Sequence, residues 1–322
     1  MFASDPAPVV RAGTPARDRS GDPALLDPLL RAIGGTPLLP LARLPEVAAG
    51  RFELWAKAEF LNPSGSVKDR AALEIVRSGL ADGLLGGSRT LLDASSGNTA
   101  VAYAMLGARL GFVVELCLPR NANPERVARV RSFGARVVFT DPGEGTDGAQ
   151  REARRRAEED PTRYWYPDQY NHPANPLAHY RHTGPEIWDG TSGRITDFVA
   201  GVGTGGTISG TGRFLKEQRA TIRVVGVEPA GPIHGIEGLK HLPSALRPTT
   251  YDERVVDATL RVDTEAAEEM QRRLAREEGL SVGVSSGAAV VAALQVGRER
   301  PGAVVVTLLP DGGHRPTAEE TR

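Results

Sequence analysis

Lysine is scarce in this chain of 322 residues. Of 39 basic residues only Lys57, Lys68, Lys216 and Lys240 are lysines, and the rest are arginines. Cysteine is scarcer still: Cys117 stands alone, which excludes an intrachain disulfide and fits a reducing compartment. It lies in Phe112-Val113-Val114-Glu115-Leu116-Cys117-Leu118, which reads as a strand, so a core thiol is expected there. The chain also lacks charge of one sign. A net charge of -1 provides no general field for nucleic acid or an anionic membrane, and neither is expected as a partner. No apolar run reaches the length needed to span a bilayer. His179 and His182 are close, but no cysteine or carboxylate pattern completes a metal site, so no metal is expected. Residues 1–22 have no hydrophobic periodicity and read as a flexible tail. No hydrophobic signal segment is found, and Asp5, Asp18 and Asp22 argue against a transit peptide, which predicts a cytoplasmic protein.

What is there is an ordinary globular composition, 40% hydrophobic and 25% charged, long enough for two compact lobes. Strand and helix patterns alternate. Helices are predicted from Val67 to Leu80, with Ser66 and Asp69 as a capping-box-like start, from Thr99 to Leu110, and from Pro124 to Phe133. Strands are predicted at Leu91-Leu92-Asp93, Phe112–Leu118 and Arg136–Thr140. This βαβ succession implies a parallel sheet. The charged, glycine-bearing stretch Asp141–Asp160 reads as a linker. A second series follows: Phe198-Val199-Ala200, a glycine loop, helix Ile208–Gln218 and strand Arg223–Val227. A long helix then runs from Thr264 to Glu278 and stops at Gly279, and another starts near Ser286. Ala303–Leu309 has the uninterrupted apolar character of a buried parallel strand. The expected architecture is α/β with two lobes: residues 53–160 form the smaller, residues 23–52 and 161–322 the larger.

Lys68 lies in Asn62-Pro63-Ser64-Gly65-Ser66-Val67-Lys68-Asp69-Arg70, where a loop turns into a helix. A partly buried lysine can lose its proton and attack a carbonyl, whereas arginine cannot. The plain alternative is a solvated lysine in a helix's first turn. Gly201-Val202-Gly203-Thr204-Gly205-Gly206-Thr207 follows a strand and opens a helix, so its backbone N–H groups offer an anion site. The same loop satisfies G-x-G-x-x-G, with Glu228 placed as a ribose-binding acid would be, so a nicotinamide-binding unit is a rival reading at this point. A tight turn without ligand is the structural alternative. Ser95-Ser96-Gly97-Asn98-Thr99 suits a carboxylate or simply caps a helix. Gly283-Val284-Ser285-Ser286-Gly287 is equally open, and the Asp168-Gln169-Tyr170-Asn171-His172-Pro173-Ala174-Asn175 run reads first as an ordered loop.

The order of these segments resembles the fold-type II pyridoxal-phosphate enzymes (tryptophan synthase β-like) and, within them, the cysteine synthase (O-acetylserine sulfhydrylase) family. The resemblance also rests on Ile33-Gly34-Gly35-Thr36-Pro37-Leu38, Asn171-His172-Pro173-Ala174-Asn175 and Thr183-Gly184-Pro185-Glu186-Ile187-Trp188, so it covers nearly the whole chain after the tail. It disfavours the nicotinamide reading, since a dehydrogenase has no use for the lysine motif.

The resemblance implies pyridoxal 5'-phosphate bound to Lys68 as a Schiff base, its phosphate on Gly203, Thr204, Gly205, Gly206 and Thr207. Asn98 would meet the ring hydroxyl and Ser285 the pyridine nitrogen. Ser95, Ser96, Asn98, Thr99 and Gln169 would grip the substrate carboxylate. The implied activity is β-replacement through an aminoacrylate, making L-cysteine from O-acetylserine or O-phosphoserine and sulfide or another sulfur donor, in a homodimer. Lys240, in His234-Gly235-Ile236-Glu237-Gly238-Leu239-Lys240-His241, is a candidate for binding an anionic β-substituent, with a surface lysine as the alternative. Cystathionine β-synthase-like or diaminopropionate synthase-like replacement, and a non-catalytic relative that binds a partner through the cleft, are the other readings. The sequence departs from the family's usual pattern at Ser95 and Ala100, and at Asp311-Gly312-Gly313-His314-Arg315-Pro316-Thr317, where a tyrosine is expected.

Overall fold

The computed structural model describes residues 27–313; the tail predicted at 1–22 and the segment from His314 onward lie outside them. Within the described residues, ten strands form two sheets. The larger has the order β1-β2-β10-β7-β8-β9, with β1 Leu38–Pro40, β2 Glu53–Ala58, β7 Asp197–Gly201, β8 Arg223–Pro229, β9 Ala258–Val262 and β10 Val304–Leu309. Only β1 runs antiparallel to its neighbour; the other pairings are parallel. The smaller sheet has the order β5-β4-β3-β6, all parallel, with β3 Thr90–Ala94, β4 Val114–Pro119, β5 Arg136–Thr140 and β6 Tyr164–Trp165.

The period of two along each strand loads both faces of both sheets. Along β10, Val305 and Leu309 face the helices Thr264–Arg273 and Val284–Glu299, whereas Val306 and Leu308 face Gly184–Gly190 and Gly206–Gln218. In the smaller sheet, Leu91, Leu116 and Leu118 join the core beneath the helices Lys68–Ala81 and Asn98–Leu110. Leu92 and Cys117 face the other way, toward Ala149 and Ala153. Cys117 is a core thiol, wholly buried, and burial pushes it up to about 12. Each fully buried Val, Leu or Ile contributes about 1.5–3 kcal/mol, so these four faces drive the two sheets to be covered on both sides.

The stretch read as a linker, 141–160, is instead mostly helix, Gly145–Glu159. Its high charge hid a buried stripe of Gly148, Ala149, Gln150 and Ala153, while Arg156 and Glu152 pair one turn apart at 2.7 Å on the outside. The lobe borders also move. β2, assigned to the smaller lobe by the 53–160 boundary, pairs with β10 in the larger sheet. Conversely β6 pairs with β3, and Leu30 packs in the smaller sheet's core, although 23–52 and 161–322 were assigned to the larger lobe. Pairing across long sequence separation decides membership, and no local signal carries it. The long helix ending at Gly279 is α-helical over Thr264–Arg273 and a π-turn over Leu274–Glu278, closed by Gly279 at φ 72°. Among the described residues, no helix is long and apolar enough to cross a membrane.

Candidate active site in the cleft between the sheets

Ligand sites in parallel sheets form beyond the carboxyl ends of the strands, and here the ends of β3, β7 and β10 open into one cleft. The Lys68 loop is fixed to this rim. Val67 N–H donates to the Pro310 carbonyl just past β10 at 2.7 Å, and Ser66 bridges to Asp311. The helix begins at Lys68 rather than Val67, and the Asp69 carboxylate bonds to Ser64 instead of Ser66: Ser64 N–H and hydroxyl both donate to it. Ser66 Oγ accepts from Lys68 N–H at 3.3 Å.

Three of the four lysines are engaged. Lys57 is wholly buried against Glu186 at 2.6 Å, Lys216 meets Asp257 at 2.8 Å, and Lys240 pairs with Asp147 at 3.7 Å while lying 4.8 Å above the Tyr170 ring. Lys68 Nζ makes no hydrogen bond or ion pair among the described residues. Burial lowers its pKa, and the carboxylate of Asp311 partly offsets this. An amine with a depressed pKa and no partner is suited to attack a carbonyl.

The glycine loop lies against the neighbouring turn so closely that a Cβ on Gly203 would sit 2.2 Å from the Gly238 carbonyl oxygen. Gly205 takes φ +85°, which a side chain would strain, and the helix Gly206–Gln218 starts directly after it. The result is a bare backbone cradle at a helix N-terminus.

One cavity of about 310 Å³ brings together Lys68, Ser95, Ser96, Asn98, Thr99, Gln169, Gly203, Thr204 and Lys240. A narrower adjoining recess adds Gly205, Thr207 and Ser285. Gly206 lies behind the cradle, against Asn175. Ser286 is wholly buried with its hydroxyl unpartnered, so of the two serines it is Ser285 that lines the recess. In the carboxylate-type loop, Thr99 hydroxyl donates to Gln169 Oε1 at 2.6 Å and Gln169 Nε2 donates to the Ala94 carbonyl at 2.9 Å. Ala100 is buried in the first turn of the helix Asn98–Leu110, and its methyl is accommodated.

Sequence reasoning missed Asp311. Its Oδ2 accepts from Asn98 Nδ2 at 2.8 Å, its Oδ1 is buried without a partner, and burial raises its pKa. A signal was present: an acid directly after a buried parallel strand sits at the rim where sites form. Tyr170, Arg126 and Glu237 also line the cavity. Arg126 and Glu237 pair at 2.8 Å across the mouth.

The unpartnered Lys68 amine, the cradle that a single Cβ would fill and the neutral Ser285 hydroxyl suit an aldehyde-bearing phosphate ester with a heteroaromatic ring. Pyridoxal phosphate is such a group. The chain belongs to the pyridoxal-phosphate-dependent enzyme family, whose profile matches residues 29–311. Within that family it is similar to the cysteine synthase of Aquifex aeolicus, 49% identical over 89% of each chain. Among solved structures it matches a hydrogen sulfide-producing enzyme from Fusobacterium nucleatum, with TM-score 0.84 and 31% identity over 89% of this chain and 98% of that one. It also matches an O-acetylserine-dependent cystathionine beta-synthase from Helicobacter pylori, with TM-score 0.82 and 34% identity over 88% and 94%. The fold is that of the two-lobed, fold-type II pyridoxal-phosphate enzymes.

Proposed function

We propose that this protein is a cysteine synthase: a pyridoxal-phosphate-dependent enzyme that replaces the β-substituent of an activated serine with a sulfur nucleophile. The observation that carries this reading is the Lys68 amine, alone among four lysines in having no partner and placed between two strand-to-helix loops. Likeness to the Aquifex aeolicus cysteine synthase supports the choice of reaction.

Lys68 would hold the cofactor, Gly203 to Thr207 its phosphate, Asn98 its ring hydroxyl and Ser285 its pyridine nitrogen. Bound pyridoxal phosphate supplies an electron sink for the α-carbon of an amino acid. The amino-acid carboxylate meets Ser95, Ser96, Asn98, Thr99 and Gln169 at the N-terminus of the helix Asn98–Leu110, where backbone N–H groups and the helix dipole favour an anion. Lys68 Nζ, once the incoming amino group has displaced it from the cofactor, would be a free amine with its pKa lowered by burial, able to take the α-proton as general base. Ser285 is neutral, so it does not hold a proton on the ring nitrogen as a carboxylate would; this favours β-elimination over transamination. Closure of the lobes across Arg126 and Glu237 excludes water from the cavity.

Lys240 would receive an anionic leaving group such as the phosphate of O-phosphoserine, exchanging its pairing with Asp147 for the substrate. The outer cleft, about 680 Å³, favours a second reading in which the nucleophile is a larger thiol, as in cystathionine synthesis. A homodimer in the cytoplasm completes the proposal, on the family resemblance and the single buried cysteine; sedimentation at the mass of one chain would refute the dimer.

The test is spectroscopic. Purified protein should absorb in the violet, change its spectrum with O-acetylserine, and after borohydride reduction carry a pyridoxyl label at Lys68. A label elsewhere, or a protein that stays colourless with added cofactor, defeats the reading. Comparing sulfide with homocysteine as acceptor separates the two nucleophile readings.

A further inference from the structure

Behind the glycine loop, the helix Ala174–Ala178 continues into a π-turn over His179–Thr183. Asn175 and His179 are four residues apart, on one face, and each is 2% exposed. Glycines on the opposing helix permit the approach: a Cβ on Gly206 would lie 2.0 Å from Asn175 Oδ1, and one on Gly210 2.0 Å from the Pro176 carbonyl oxygen.

Asn175 Nδ2 is 2.8 Å from the Gln169 carbonyl oxygen and 3.0 Å from Thr204 Oγ1. A carbonyl only accepts, so the nitrogen is the atom that faces it, and the second amide hydrogen goes to Thr204. Thr204 Oγ1 also accepts from Gly206 N–H at 3.4 Å. With its oxygen accepting from both, Thr204 has its own hydrogen free to donate into the cavity.

His179 repeats this arrangement one turn later. Its Nδ1 is 2.9 Å from Thr183 Oγ1 and its Nε2 3.2 Å from Thr207 Oγ1. Burial, reinforced by the Arg70 charge, pulls the imidazole down to about 3, so the ring is neutral and carries a single hydrogen. Were that hydrogen on Nδ1, Thr207 would donate to Nε2 and present only lone pairs to an anion. With the hydrogen on Nε2, Thr207 accepts, and its own O–H is released toward the cavity.

We propose that Asn175 and His179 are positioning residues that turn the hydroxyl hydrogens of Thr204 and Thr207 toward the cofactor's phosphoryl group, with Thr183 holding His179 in the Nε2–H tautomer. This deepens the pyridoxal-phosphate reading and rests on it.

The experiment titrates cofactor-free protein with pyridoxal phosphate and, separately, with pyridoxal, which lacks the phosphate. Wild-type, His179→Leu, His179→Gln and the double variant His179→Leu/Thr207→Val are compared. His179→Leu should weaken pyridoxal phosphate binding about ten- to a hundredfold, the range for one hydrogen bond to a charged group, and leave pyridoxal within about twofold. His179→Gln, whose amide can donate to Thr207, should recover most of the loss. Thr207→Val should add little once His179 is gone. Nitrogen-15 spectra of histidine-labelled wild-type holoenzyme should show Nε2 protonated and Nδ1 bare; they need no variant to fold. Equal weakening of both ligands, no weakening, or an Nδ1–H tautomer overturns the proposal while leaving Lys68 labelling intact. Wild-type protein that takes up neither ligand and carries no label at Lys68 overturns the parent reading and this one together.

Discussion

Lys68 differs from its three counterparts in what surrounds it, since no carboxylate is in ion-pair contact with it and the cleft lies open in front of it. Lys68→Ala should therefore remove the violet absorption and the borohydride label and lower turnover by more than about a thousandfold, because the amine is proposed to serve both attachment and proton transfer. Lys240→Ala should lower kcat/KM for O-phosphoserine at least about tenfold more than for O-acetylserine; an equal fall for both would show that the residue does not read the leaving group. Beneath the carboxylate loop, Asp93 accepts from Ala94 N–H at 2.7 Å and from Gln169 N–H at 3.3 Å. Burial, with the Asp168 charge nearby, raises it from 3.8 to about 7. The folded state then binds a proton more tightly than the unfolded chain. Asp93's contribution to stability is complete below pH 3.8 and is lost as pH rises toward 7, by at most about 4 kcal/mol. Urea unfolding at pH 5 and pH 8 checks this: wild type should lose ground to Asp93→Asn as pH rises.

At the scale of elements, a buried cluster ties the helix Lys68–Ala81 to the larger sheet. Arg70, two residues after Lys68, binds Glu59 at 2.7 and 2.8 Å and Glu186 at 2.7 and 2.8 Å, while Lys57 on β2 meets Glu186. Burial would raise Glu59, but Arg70 and then Lys57 hold its carboxyl at about 2. Arg70→Met leaves that carboxylate buried without its main partner and should cost about 3–5 kcal/mol in urea unfolding. Thr36, Asn62 and Glu186 from the quoted motifs all touch this cluster. The motifs that contain them were legible in the sequence; the shared electrostatic reason was not, because the residues lie up to 150 positions apart in the chain. Gly203→Ala acts at the same scale: its methyl collides with the Gly238 carbonyl, so phosphate binding should fail at a smaller cost to the fold.

Across the whole molecule, two ion pairs of opposite polarity join the loop 237–240 to helices of the smaller lobe. Arg126 pairs with Glu237 at 2.8 Å and Lys240 with Asp147 at 3.7 Å. These groups are partly exposed, so each is worth about 0–1 kcal/mol and is screened by salt. Glu237→Gln should change KM for the amino acid by about two- to fivefold at low ionic strength and much less at 0.5 M salt. The exchange Arg126→Glu with Glu237→Arg should restore the value.

The βαβ order, the cradle and the lysine motif could be read from the chain itself, because each depends on contacts a few residues apart: period-two apolar runs, a glycine turn, a helix start. The helix at 145–159 was hidden because its apolar stripe is narrow and made of alanine and glycine. Asp311, the moved lobe borders and the threonine supports at Asn175 and His179 emerged only when distant segments were packed together. Burial creates their chemistry by removing water and limiting which partners can reach a buried donor or charge, and that depends on the neighbours the folded chain brings in.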